Sequence, residues 1–367
     1  MPTKTVDAIT GRRVTVCGTL HVFPVNISHA RGNITMQYRR LGRCGLKLSE
    51  LSLGAGNWGY KAMDEKMIGE TVALALDAGI NYFDNAQSYT NGLAEEIMGR
   101  LFRKLNLRRV SYVVSTKYFW GISDGPNERD TLNRKYLIDG VNGSLKRLQM
   151  DYVDIVYCHR NDPNTPIEET VWALHNIIES GKALYWGTSE WRADEIRAAW
   201  EIAERHHLHK PVVERPEYNL LRRRRVDQEH ARLFTDIGLG IVVFSPLAGG
   251  TLTGKYRGGL PAGSRADDPN LARFQDALLG KQRNQIVDDL EKVARQIDCT
   301  LAELSLAWIL SNPNVTTAIL GVSRPSQLTE NLGALNVVPK LTPEVKKQML
   351  DIVGDYSMPW STVTDPQ

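Results

Sequence analysis

Residues 152–187, YVDIVYCHRNDPNTPIEETVWALHNIIESGKALYWG, contain one complete strand–helix–strand unit. Residues 152–156 form a short apolar run, residues 167–180 have the apolar spacing of an amphipathic helix, and residues 183–187 form a second short apolar run. A strand, a helix and a strand in this order predict two parallel strands joined by a crossover helix.

The same alternation extends in both directions from this unit. The predicted strands are residues 46–54, 81–84, 112–116, 152–156, 183–187, 212–214, 240–244 and 316–320. The predicted helices include residues 65–78, 93–103, 135–148, 167–180, 193–206 and 327–335. Eight strands in succession, with no break in composition between them, favour a closed (β/α)8 TIM barrel over an open sheet.

The composition excludes several classes of protein. The chain of 367 residues has 45 basic and 42 acidic side chains and a formal net charge of +3, without the excess of basic charge expected of a nucleic-acid-binding protein. No apolar run is long enough for a membrane helix. The four cysteines are far apart and lack a CxxC pair, so the sequence predicts no disulfide framework, no metal site and a reducing, cytoplasmic environment.

The first 35 residues lack the basic-then-apolar order of a signal peptide. We therefore predict that residues 1–35 are a poorly ordered tail. Because regular alternation begins at Met36, residues 36–367 are predicted to form one barrel domain.

Polar side chains stand where the predicted strands end. In a barrel these carboxyl ends share one face, which carries the active site. The strand-end residues are Asp84, Lys117, His159, Ser189 and Glu214.

Four neighbouring side chains suggest a reaction. A tyrosine is ordinarily too weak an acid for neutral pH, but an adjacent ammonium favours the phenolate. Tyr89 with Lys117 could therefore donate a proton, while Asp84 would keep the lysine charged and His159 would orient a substrate carbonyl oxygen. Each residue alone is more often a turn or packing residue. The predicted function depends on their combination at the ends of three consecutive strands.

Several motifs resemble those of the aldo-keto reductase superfamily. They are FDNAQSY at 83–89, STK at 115–117, DIVYCH at 154–159, YWGTS at 185–189, FSPLAGG at 244–250 and GVSRPSQLTEN at 321–331. TKYFW at 116–120, DPNTP at 162–166 and residues 245–256 resemble the branch that contains potassium-channel β subunits and bacterial reductases.

The resemblance implies a catalytic tetrad of Asp84, Tyr89, Lys117 and His159 that reduces small aldehydes or ketones with NADPH. The channel subunits typically have asparagine in the fourth position, so His159 favours an enzyme. The alternative is a cofactor-binding regulatory subunit that docks on a channel. The related branch also implies a homo-oligomer, specifically a tetramer.

The family binds NADPH across the barrel mouth. By resemblance, Ser189 would contact the carboxamide, Phe244 would stack on the nicotinamide and Arg324 would suit a 2′-phosphate. The other implied contacts are Ser245, Leu247, Lys255, Arg265, Gly321, Ser323, Gln327, Glu330 and Asn331. Arg215 stands where the family usually has glutamine. As a cofactor-site residue it could reach a phosphate or a substrate carboxylate, or it could simply be exposed.

Three aromatic residues, Trp58, Tyr60 and Trp120, are predicted to line the substrate pocket. Residues 54–59 spell GxGxxG, but the helix that a dinucleotide fold would start at the third glycine begins only near Asp64. Two clusters favour ordinary structural roles. Residues 222–225, RRRR, are predicted to be a solvated loop, and His206, His207 and His209 are predicted to end a helix rather than to bind a metal.

Overall fold

The computed structural model describes residues 35–60, 63–261 and 280–357. Within these ranges eight parallel strands close into a barrel, in the cyclic order β10-β3-β4-β5-β6-β7-β8-β9. They are β3 (Leu51–Gly54), β4 (Tyr82–Asp84), β5 (Val113–Tyr118), β6 (Val153–Cys158), β7 (Ala183–Thr188), β8 (Val213–Glu214), β9 (Gly240–Val243) and β10 (Val315–Leu320). The predicted (β/α)8 barrel is confirmed.

Helices lie between the strands and cover the outside of the barrel. They are α1 (Glu65–Asp77), α2 (Leu93–Lys104), α3 (Arg134–Leu148), α4 (Ile167–Glu179), α5 (Ala193–Arg205), α6 (Ala231–Asp236), α7 (Lys281–Gln296), α8 (Leu301–Leu310), α9 (Pro325–Leu332), α10 (Ala334–Val337) and α11 (Pro343–Val353). Helix α1 begins after Asp64, whose side chain caps Met67 N at 2.7 Å. Gly59 therefore precedes the helix, as the rejection of a dinucleotide fold predicts.

The strands separate two apolar regions. Along β6, Ile155 and Tyr157 belong to the interior of the barrel, whereas Val156 and Cys158 pack outward against the helices. This follows from the alternation of side chains on a strand. Every residue of β5 and β6 is buried, because both faces of a parallel barrel strand are covered.

An antiparallel hairpin closes the end of the barrel opposite the strand termini that carry the site. It consists of β1 (Tyr38–Arg40) and β2 (Lys47–Ser49), and it buries Leu41 and Leu48 in the barrel interior. Gly42 has φ +57°, and a Cβ there would lie 2.3 Å from Gly238 O, so only glycine fits this turn.

The predicted strand 46–54 is wrong as a single element. The chain bends at Glu50, so β2 pairs with β1 and β3 joins the barrel. Glu50 forms an ion pair with Arg39 at 2.6 Å. Arg39 also donates to Leu310 O at 2.8 Å and to Val315 O at 2.9 Å, which ties the hairpin to the barrel.

The segment after β9 contains a short 3₁₀ helix at Ala248–Thr253. Cys44, Cys158 and Cys299 are free thiols. Among the helices of the described ranges, none has the length and apolar character to cross a membrane. Residues 1–34 lie outside the described residues, so the predicted tail stays a prediction.

Candidate active site

Three adjacent strands, β4, β5 and β6, direct two polar side chains each into the barrel. The members of each pair are two residues apart, and a strand places such residues on one face. The pairs are Tyr82 with Asp84, Ser115 with Lys117, and Tyr157 with His159.

The first member of each pair forms a layer of hydroxyl groups beneath the site. Tyr82 Oη lies 2.8 Å from Ser115 Oγ and 3.3 Å from Tyr157 Oη. Ser115 Oγ also donates to Asp84 Oδ1 at 2.8 Å. This layer separates the charged residues from the apolar interior and fixes the orientation of the Asp84 carboxylate.

Lys117 is the centre of the charged layer. Its ammonium contacts Asp84 Oδ2 at 2.8 Å and Tyr89 Oη at 3.2 Å, and it donates to Asn85 O. The ammonium also lies 4.6 Å from the centre of the Tyr89 ring. The sequence predicted that these three side chains meet, and the structure brings them together.

Burial and charge compete in this cluster. Burial and then the charge of Arg215 lower the pKa of Lys117, and Asp84 only partly offsets them. Burial alone would raise the pKa of Asp84, but Arg215 and Lys117 outweigh it and hold that pKa below its ordinary value. Asp84 is therefore a carboxylate at neutral pH.

Tyr89 begins a strained turn after β4. The next two residues, Thr90 and Asn91, have φ of 46° and 53°, values that are uncommon for residues other than glycine. Thr90 Oγ1 donates to Trp58 O at 3.0 Å, which anchors the turn. The Tyr89 ring is partly exposed while the Lys117 side chain behind it is buried. The phenol is therefore the member of this pair that faces the barrel mouth.

The His159 ring packs edge-on against the Tyr89 ring, with ring centres 6.0 Å apart. Burial, followed by the charges of Lys117, Arg160 and Arg215, lowers the pKa of His159 well below its ordinary value. The imidazole is therefore neutral at physiological pH and can still donate one N–H. Trp120 packs edge-on against it at 6.1 Å.

Arg215 is buried in the site, so the exposed alternative for this residue is wrong. Its guanidinium contacts Asp84 Oδ2 at 3.0 Å and lies 4.7 Å from the centre of the Phe244 ring. Ser189 Oγ donates to the Arg215 carbonyl at 3.0 Å. Ser189 and Phe244, which are predicted to contact the carboxamide and the nicotinamide ring, therefore both contact Arg215.

The three predicted pocket residues differ in exposure. Trp58 is completely buried, whereas Tyr60 and Trp120 are partly exposed. Trp58 therefore supports the wall from behind instead of facing solvent. Arg160, which sequence reasoning missed, covers Trp120 at 5.5 Å and donates to the His159 carbonyl at 2.5 Å.

The predicted cofactor residues after β9 occupy a strained loop. Ser245 has φ 51° and Ala248 has φ 50°, and such conformations are concentrated at functional sites. Leu247 N-caps the following 3₁₀ helix, and the Lys255 ammonium lies 4.9 Å from the centre of the Tyr256 ring. Arg265 lies outside the described residues.

The remaining predicted cofactor residues surround the start of α9. Ser323 N donates to Gln327 Oε1 at 2.8 Å, and Arg324 is the exposed N-cap. Gly321 and Glu330 are exposed, whereas Asn331 is buried. A helix N-terminus with an exposed arginine suits a phosphate group. Arg215 Nε is also buried without a partner among the described residues, so both arginines offer donors that fit a phosphorylated nucleotide.

Glu214 is a strand-end residue for which the sequence predicts no role. It is completely buried, accepts from Thr188 Oγ1, and its Oε1 has no partner among the described residues. Burial raises the pKa of Glu214 to about 8. Its place at the end of β8 was the only signal in the sequence.

The solvated-loop interpretation of residues 222–225 is wrong for two of the four arginines. Arg222 is buried in an ion pair with Glu217, and Arg225 contacts Glu190 at 2.8 Å. Burial raises the pKa of Glu217 to about 7. Arg222 and Arg225 therefore each form an ion pair with a glutamate near the barrel mouth.

The three histidines predicted to end a helix follow α5, and two of them contact glutamates of α4. His209 lies 2.8 Å from Glu179, and His206 lies 3.8 Å from Glu168. His206 and His209 therefore have different glutamate partners. His209 also lies with His175 and Glu179 in a group whose ligand atoms are within 4.8 Å of one another, so the prediction that these histidines bind no metal stays a prediction.

Comparison with known proteins identifies the family. The Aldo/keto reductase family model matches residues 50–353. The chain belongs to the aldo/keto reductase family. It is 48% identical over 319 residues to a rice protein (Oryza sativa) named "Probable voltage-gated potassium channel subunit beta", covering 87% of this chain and 97% of that protein.

Two further relatives carry similar names. An Arabidopsis thaliana protein with the same name is 46% identical over 87% of this chain and 97% of its own length. A Schizosaccharomyces pombe protein named "Putative voltage-gated potassium channel subunit beta" is 42% identical over 92% of this chain and 96% of its own length. The resemblance to the channel β-subunit branch is confirmed.

Proposed function

We propose that this chain is an NADP-dependent reductase that converts small aldehydes and ketones to alcohols, with Tyr89 as the proton donor. The observation that carries the proposal is the 3.2 Å contact between Lys117 Nζ and Tyr89 Oη. Membership of the aldo/keto reductase family supports the same reaction class.

Tyr89 and Lys117 would handle the proton. When bound, the nicotinamide cofactor supplies a hydride for the carbonyl carbon. The carbonyl oxygen gains negative charge, and the Tyr89 hydroxyl gives its proton to that oxygen. A phenol oxygen that accepts a hydrogen bond from an ammonium keeps its own O–H available as a donor. The same ammonium then stabilises the phenolate.

Asp84 and His159 would prepare the site for this transfer. Asp84 accepts a hydrogen bond from the Lys117 ammonium at 2.8 Å and partly offsets the lowering of the Lys117 pKa by burial and by Arg215. His159, neutral because its pKa is lowered, would donate an N–H to the carbonyl oxygen and orient it toward Tyr89. Substrate substituents would contact Trp120 and Tyr60, with Trp58 behind them.

We propose that NADPH lies across the barrel mouth. Phe244 would stack on the nicotinamide, Ser189 would contact its carboxamide and Arg324 the 2′-phosphate. The remaining proposed contacts are Arg215, Ser245, Leu247, Lys255, Arg265, Gly321, Ser323, Gln327, Glu330 and Asn331. The strained loop after β9 and the exposed Arg324 at the start of α9 support this placement.

The test measures NADPH oxidation by the purified protein against a panel of small aldehydes and ketones. Turnover is expected with several of them, and Tyr89→Phe is expected to reduce kcat at least about a hundredfold. Tyr152→Phe is the matched control, because Tyr152 packs under Arg109 at 4.0 Å, away from the tetrad. Absence of turnover with the whole panel contradicts the function, and full activity of Tyr89→Phe contradicts the mechanism.

The names of the three relatives favour a second function, as a regulatory subunit that docks on a potassium channel. Purification of a channel with this protein from its native cell, together with negligible turnover, would support that function over the first. We further propose that the protein acts in the cytoplasm as a homo-oligomer, a tetramer by resemblance. Light scattering of the purified protein measures the oligomeric state.

A further inference from the structure

The cluster of Lys117, Arg215 and Asp84 contains two basic groups and one carboxylate. Lys117 Nζ and Arg215 Nη2 contact the same oxygen, Asp84 Oδ2, at 2.8 and 3.0 Å. Within the described ranges, Asp84 is the only carboxylate at salt-bridge distance from Arg215. All three groups are buried, and with Lys117 as an ammonium their charges sum to +1.

The position of Arg215 determines where this excess charge acts. The guanidinium covers one face of the Phe244 ring at 4.7 Å, and its Nε is buried without a partner. The residue's backbone carbonyl accepts from Ser189 Oγ at 3.0 Å. Phe244 and Ser189 are the residues that the proposed function assigns to the nicotinamide, so Arg215 lies beside that ring.

We propose that Arg215 makes the site discriminate between the two redox states of the cofactor, binding NADPH more tightly than NADP⁺. The inference rests on the proposed nicotinamide site. The oxidised nicotinamide ring has a positive charge and the reduced ring has none, whereas the phosphates are the same in both. A fixed cation beside the ring therefore repels only the oxidised form.

The expected ratio of the two Kd values follows from the Coulomb repulsion between the guanidinium and the oxidised ring. At an effective dielectric constant near 20 and separations up to about 10 Å, this repulsion corresponds to about a tenfold or larger difference in Kd. Arg215 is 5% exposed, so salt screens its charge much less than that of a surface arginine. The preference for NADPH should thus persist at high ionic strength.

The experiment titrates the purified protein with NADPH and with NADP⁺ and follows quenching of tryptophan fluorescence. In the unaltered protein, Kd for NADP⁺ is expected to exceed Kd for NADPH by about tenfold. Arg215→Gln should reduce this ratio by about tenfold, whereas Arg215→Lys, which keeps the charge, should retain most of it.

Arg324→Gln is the matched control. Arg324 is exposed, and a 2′-phosphate is present in both redox states, so both Kd values should rise with an unchanged ratio. Arg215→Gln leaves Asp84 paired with Lys117, which favours a folded variant, and its melting temperature verifies this.

Two results would overturn the inference. One is an unaltered protein that binds both nucleotides equally, which needs no variant to observe. The other is an Arg215→Gln protein that retains the original ratio. Failure of the unaltered protein to bind either nucleotide would instead refute the proposed cofactor site, and the inference with it.

Discussion

Replacement of Glu214 by glutamine tests the electrostatics of the barrel interior. Burial raises the pKa of this carboxyl from 4.5 to about 8. The pKa of this carboxyl is higher in the folded than in the unfolded protein. The folded state is therefore most stable below pH 4.5, where the carboxyl is protonated in both states, and it loses stability as pH rises toward 8. Each pH unit of difference corresponds to about 1.4 kcal/mol, so ionised Glu214 costs up to about 5 kcal/mol.

Glutamine keeps an oxygen that can accept from Thr188 Oγ1 but cannot ionise. Urea unfolding should therefore give similar stabilities for both proteins near pH ~5, and a Glu214→Gln protein more stable by about 2 to 5 kcal/mol near pH ~9. Equal slopes against urea would indicate that both proteins expose the same surface area on unfolding.

Glu201→Gln is the control, since Glu201 is exposed on α5 and its replacement should change the free energy of unfolding by less than about 0.5 kcal/mol at either pH. The reasoning is refuted if the Glu214→Gln protein shows the same difference from the unaltered protein at both pH values. It is also refuted if the variant is destabilised at the higher pH.

Three other predictions concern packing and charge. In Gly187→Ala, the new Cβ would lie 2.3 Å from Val213 O, so we expect a loss of about 1 to 3 kcal/mol in urea unfolding; unchanged stability would contradict this contact. Arg222→Met leaves Glu217 buried without its ion pair, and thermal unfolding should show a loss of about 3 kcal/mol or more near pH ~8; a stabilised variant would contradict this. Because the pKa of His159 is lowered, the pH–rate profile of reduction should show no fall centred near pH ~6.5, and such a fall that disappears in His159→Asn would contradict the neutral imidazole.

Much of the fold and the tetrad could be predicted because both depend on short-range patterns. Alternation along the strands and the spacing of the helices indicate a barrel, and a barrel brings strand ends together. The same alternation could have revealed Ser115, two residues before Lys117, as a partner of Asp84.

Other features depend on contacts that no local pattern encodes. Arg215 reaches a carboxylate 131 residues earlier in the chain, and its side-chain direction is decided by packing. The basic run 222–225 has the composition of a solvated loop, yet Glu217 and Glu190 provide partners that make burial favourable for Arg222 and Arg225. The bend at Glu50 likewise depends on Arg39 from a neighbouring strand.

The ion pair of Arg215 and Asp84 also has a mechanical consequence. In the cyclic strand order, β4 and β8 are four strands apart in either direction, so they stand on opposite walls. Asp84 ends β4 and Arg215 follows β8, and their 3.0 Å contact is thus a brace across the full width of the opening. Strand β8 has only two residues and so makes few hydrogen bonds to its neighbouring strands. The ion pair with Asp84 therefore helps to fix the distance between the end of β8 and the opposite wall of the barrel.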